Sequence, residues 1–129
     1  MKRIVAAVLG ALLGANGVAM LAAGHWWYAL TPGVTDTGPY NPHFVMDIGA
    51  AYLVAAGALA WAAWRPVQAQ AAVVAAASFL ALHAFVHVFD AFDGAHAGAS
   101  FLRDAPTIFL PAGLAVWIAW PQSRPSKGP

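Results

Sequence analysis

The chain has 129 residues, of which 61% are hydrophobic and 9% charged, with a formal net charge of +1 and no cysteine. Soluble domains carry about 25% charged residues, and disordered chains carry few apolar ones, so neither class fits. A nucleic-acid binder needs a basic stripe that is missing here, and without cysteine there is no disulfide framework or thiolate metal site. What remains is an integral membrane protein, and 32 alanines with no glutamate agree with that reading.

Charged residues divide the chain into four apolar stretches of about 17–24 residues, near the ~20 a helix needs to cross ~30 Å of hydrocarbon. Backbone polar groups in lipid must be paired internally, so each stretch is read as a helix. The expected fold is all-α: one four-helix transmembrane domain over residues 1–120, with helices at about 4–24, 42–64, 67–92 and 105–120. In the first segment the apolar run exceeds a signal peptide's usual ~7–15 residues, and Trp26-Trp27-Tyr28 follow as an interfacial anchor. Retention, not cleavage, is therefore expected. Thr31–Asn41 reads as an exposed loop. Asn41-Pro42 reads as the N-cap and first residue of the second helix. Arg65-Pro66 ends that helix, because the residue before proline is pushed out of the helical region. Asp104 is expected to cap the fourth helix with Pro106 in its first turn, and Pro111 to kink it. Residues 121–129 read as a flexible cytoplasmic tail.

Lys2, Arg3, Arg65, Arg124 and Lys127 fall on one side of this arrangement and only Arg103 on the other. The positive-inside rule then puts both termini in the cytoplasm, in a multi-pass protein of a bacterial inner membrane. Tryptophans 61, 64, 117 and 120 would mark the cytoplasmic interface.

The five histidines and five aspartates all lie at or beyond the opposite ends of the helices. His43 and Asp47 are spaced i, i+4 on the second helix. His83, His87 and Asp90 are spaced i, i+4, i+7 on the third. Each set shares one helix face. Antiparallel packing matches the depth of His43 with Asp90 and of Asp47 with His87. Ionisable groups at such depth usually face the bundle interior or a wet cavity.

Imidazole and carboxylate are ligands for a divalent transition metal such as Zn²⁺ or Cu²⁺. The expected metal site is therefore His43, Asp47, His83, His87 and Asp90, with Arg103 and Asp104 supporting it from behind. Two alternatives use the same residues. In one, the cluster only ties helices together in a structural or accessory subunit of a larger membrane complex. In the other, His43 with His83 or His87 holds haem b, or the site takes a quinone. No catalytic residue is specified. Gly10, Gly14 and Gly17 offer a close-packing helix face, within the chain or between copies. The surrounding partner is the lipid bilayer.

The string Asn41-Pro42-His43-Phe44-Val45-Met46-Asp47, with His83-x-x-x-His87-x-x-Asp90, resembles a group of small bacterial four-helix membrane proteins of unknown function. That resemblance implies the four-helix architecture over nearly the whole chain and no particular activity.

Overall fold

The computed structural model describes residues 1–92 and 97–121, and the side chains of 90–91 and 97–99 lie outside that description. Among the described residues every regular element is helical. They are α1 (Lys2–Ala22), α2 (Gly24–Leu30), α3 (Pro42–Trp64), α4 (Gln70–Phe92), α5 (Ala97–Asp104) and α6 (Leu110–Ala119). A 3₁₀ turn at Val34–Thr37 precedes α3, and a π-helical turn at Ala105–Phe109 joins α5 to α6. Four segments are long and apolar enough to cross a membrane: Lys2–Ala22, Pro42–Trp64, Gln70–Phe89 and Ser100–Ala119.

The helix ends have local causes. The Asn41 side chain accepts a hydrogen bond from Phe44 N at 3.2 Å, and Pro42 occupies the first helical position, where no N–H is needed. Arg65 leaves the helical region before Pro66, ending α3. At the same end of the bundle, the N-terminal basic pair satisfies carbonyls that helices leave unpaired. Arg3 donates from Nε to Ala63 O at 2.8 Å and from Nη2 to Trp64 O at 3.0 Å. Lys2 Nζ donates to Trp120 O at 2.8 Å, and Gln70 Nε2 donates to Ala119 O at 2.7 Å.

Helices α1, α3, α4 and the α5–α6 rod pack around a core rich in alanine, including Ala6, Leu9, Leu59, Ala69, Val73, Ala77 and Ala115. Small side chains let the backbones approach, and α1 against α3 is the closest case. A Cβ on Gly17 would lie 2.8 Å from Gly49 O, and one on Gly10 would lie 3.1 Å from Ala56 O. At Gly14 a Cβ would meet only the Ala56 Cβ, at 3.5 Å. Many large apolar side chains point outward, Val54, Leu82 and Phe89 among them. A water-facing surface of that kind would aggregate, whereas in hydrocarbon it is the normal exterior.

One expectation is corrected. Asp104 makes no capping bond, because the helix already runs from Ala97 and Asp104 lies inside the rod. Just ahead of Pro111, where a kink is expected, the helix widens into the π turn, in which Leu110 N–H reaches back five residues to Ala105 O. Pro111 has no N–H to continue the α pattern, and a widened turn accommodates the register change. Directly after α1, the residues read as an interfacial anchor form α2, and Trp27 Nε1 donates to Asn16 Oδ1 of α1 at 2.9 Å.

Candidate functional site

Helix α4 carries His83 and His87 one turn apart, with ring centroids 4.9 Å from each other. His83 lies against aromatic walls from two helices. Tyr52 of α3 meets it edge-on at 5.8 Å, and Phe79, one turn earlier on α4, stacks at 6.0 Å. Tyr52 and Phe79 also touch each other, at 5.7 Å.

His87 turns toward the α5–α6 rod. Its Nδ1 lies 2.8 Å from Asp104 Oδ2. The other carboxylate oxygen of Asp104 accepts from Arg103 Nε at 2.9 Å. Asp104 is 5% exposed and is the one buried charged residue among those described. Burial of a carboxylate is costly unless it is paired, and here both oxygens have donors. With Asp104 accepting on both sides, His87 Nδ1 carries the proton of this contact. Arg103 extends the chain of contacts to the α2–α3 segment, where its Nη1 lies 3.4 Å from Asp36 Oδ2.

The expected five-residue site is not assembled as drawn from the sequence. His43 Nε2 lies 3.4 Å from Asp47 Oδ2, but their side chains are 88% and 63% exposed. The reason is angular. At about 100° per residue, positions 43 and 47 fall roughly 160° and 200° around α3 from Val45. Val45, Gly49, Tyr52, Ala56 and Leu59 form the buried face, so His43 and Asp47 look outward. His87 takes its carboxylate from Asp104, not from Asp47. Asp90 lies on the last turn of α4, and its side chain, like His96 and Asp93, lies outside the described residues. Among the described residues no three His, Asp, Glu or Cys side chains converge to hold an ion.

The sequence did not single out Tyr52, Phe79, Gly33 or Asp36. Phe79 is spaced i, i+4 from His83, a signal hidden by the abundance of apolar residues on α4. Asp36 lies in a segment with no periodicity to read. Gly33, at φ 82°, packs directly on the Arg103 guanidinium, so that a Cβ there would collide with it. The cluster is thus a ladder of contacts running from Tyr52 and His83 in the bundle to Asp36 at its surface. Compared with known proteins, the chain matches no protein-family model, no curated protein and no solved structure.

Proposed function

We propose that this chain is a multi-pass protein of a bacterial inner membrane that binds a divalent transition metal, Zn²⁺ or Cu²⁺, through His83 and His87. In this reading both termini are cytoplasmic, since Lys2, Arg3 and Arg65 share one end of the bundle, and the histidines open toward the other side. One observation carries the metal reading: Asp104 Oδ2 is 2.8 Å from His87 Nδ1. A carboxylate on one imidazole nitrogen fixes the ring and presents the other nitrogen to an ion. His83 supplies a second imidazole one turn away. Asp104 and Arg103 support the site from behind, and the remaining coordination positions are left to water or to a group from another molecule.

Haem b has less support, because His43 is turned onto the far face of α3 and pairs with Asp47. Plasma mass spectrometry of detergent-purified protein against a matched blank tests the proposal. Near-stoichiometric metal is expected, and it should be lost in a folded His83→Ala/His87→Ala variant. If that variant keeps its metal, the site is elsewhere.

A second reading has its own observation. Among the described residues every fully buried side-chain nitrogen and oxygen already has a hydrogen-bond partner, so no buried polar atom calls for a ligand. The cluster would then serve as a tie between helices in a subunit of a larger membrane complex or homo-oligomer. Metal-free protein that co-purifies with a partner in mild detergent supports this reading. Metal-free protein that always runs alone counts against it.

A further inference from the structure

One guanidinium joins the segment between α2 and α3 to His87. On its inner side, Arg103 Nε donates to Asp104 Oδ1 at 2.9 Å, and Asp104 Oδ2 lies 2.8 Å from His87 Nδ1. On its outer side, Nη1 lies 3.4 Å from Asp36 Oδ2, and the guanidinium rests on Gly33. Only glycine permits both the left-handed backbone at φ 82° and that close approach.

The two sides differ in strength. Asp104 is buried and its contacts are short. The Asp36 side chain is 75% exposed and its contact is long. An exposed ion pair of that kind is weak and is screened by salt. The segment is also anchored at both ends: Thr31 Oγ1 donates to Trp27 O at 2.7 Å, and the Tyr40 ring lies 5.4 Å from Tyr28 and 5.1 Å from His25. Its middle is therefore held to α5 by the weakest contact in the ladder.

We propose that residues 31–41 are a strap that controls access to His87. Fastened through Asp36 and Gly33, the strap presses Arg103 onto Asp104 and keeps the His87 ring in its hydrogen bond. Released, it frees Arg103 and lets the His87 ring, whose side chain is 23% exposed when the strap is fastened, open further to solutes. The inference rests on the proposed site only for what the strap admits, since access to His87 is measurable with no metal present.

The test is the rate at which diethylpyrocarbonate modifies His87 in lipid nanodiscs, which leave both faces of the bundle open. Asp36→Asn removes the outer ion pair, and Gly33→Ala drives a methyl into the guanidinium. Both variants are expected to raise the His87 rate on the order of threefold or more, as local opening becomes easier. His43, which is 88% exposed, should react at an unchanged rate and serves as the internal reference. Added salt should speed His87 modification in the wild type but not in Asp36→Asn. If Gly33→Ala does not fold, Asp36→Asn decides alone, because its side chain is exposed. An unchanged His87 rate in Asp36→Asn overturns the strap. Loss of metal binding with a strap that still responds would overturn only the metal reading.

Discussion

Asp104 Oδ2 sits 2.8 Å from His87 Nδ1, and this contact ties α4 to the α5–α6 rod. Asp104→Ala removes the acceptor for two donors at once, His87 and Arg103. Orphaning a buried polar group costs about 1–3 kcal/mol, and the His87 and Arg103 side chains are 23% and 33% exposed, so Asp104→Ala is expected to destabilise the bundle toward the lower end of that range. His87→Ala should cost less, because Asp104 keeps Arg103. The double variant should then cost less than the sum, with a coupling of about 0.6–2 kcal/mol for an interhelical polar contact. Unfolding in mixed micelles gives all four corners of the cycle. A coupling indistinguishable from zero would refute the tie.

Close packing of α1 on α3 makes opposite predictions for different glycines. At Gly17 an added Cβ would stand 2.8 Å from the Gly49 carbonyl, and at Gly49 it would stand 2.8 Å from Met20 Cβ. Backbone and Cβ atoms cannot step aside without moving the helices, so Gly17→Ala and Gly49→Ala should each cost about 1–3 kcal/mol. Gly57 and Gly113 have nothing within 4 Å of the same position. Alanine there should change stability by no more than about 0.5 kcal/mol. Thermal unfolding of the four variants checks the contrast, and equal losses at all four positions would show that α1 and α3 do not meet at these glycines.

The basic N-terminus has a structural role besides the topological one proposed for it. Arg3 donates twice to the carbonyls that close α3, and Lys2 reaches the carbonyl of Trp120 beyond α6. Cations at helix C-termini are worth about 0.3–1 kcal/mol each. A Lys2→Ala/Arg3→Ala variant should therefore lose melting temperature even when its orientation in the membrane is unchanged. Arg3→Gln, which keeps donors but no charge, should recover part of the loss. Comparing melting with sided protease mapping separates the two roles; an unchanged melting temperature would leave topology alone as their function.

The four apolar segments were legible because a bilayer sets a length that composition alone can meet. The ends of α3 were legible too, since Asn41-Pro42 and Arg65-Pro66 act through the backbone of their own neighbours. The polar contacts were harder. Spacing showed that His83 and His87 share a face of α4, but it could not show which way α3 turns His43 and Asp47. That rotation is set by the small residues through which α3 meets α1, Gly49 and Ala56 among them. Asp104 misled for a related reason. Asp before Pro106 is a good local capping signal, yet the contact with His87 comes from α4, 17 positions earlier in the chain. No local pattern holds that information.

Asn16 is a polar side chain within an apolar helix, and Trp27 answers it. The indole Nε1 donates to Asn16 Oδ1 at 2.9 Å, which ties α2 to α1. The other Asn16 contact, from Nδ2 to Met20 Sδ at 3.6 Å, is weak. Trp27→Phe keeps most of the ring but removes the donor, leaving the amide oxygen unpaired in apolar surroundings. A loss of about 1 kcal/mol is expected. Asn16→Leu in the same background removes the orphaned amide, and the double variant should regain stability relative to Trp27→Phe alone. That reversal separates a hydrogen bond from simple packing: if Asn16→Leu lowers the melting temperature equally in the wild type and in the Trp27→Phe background, the indole contact contributes shape and not pairing.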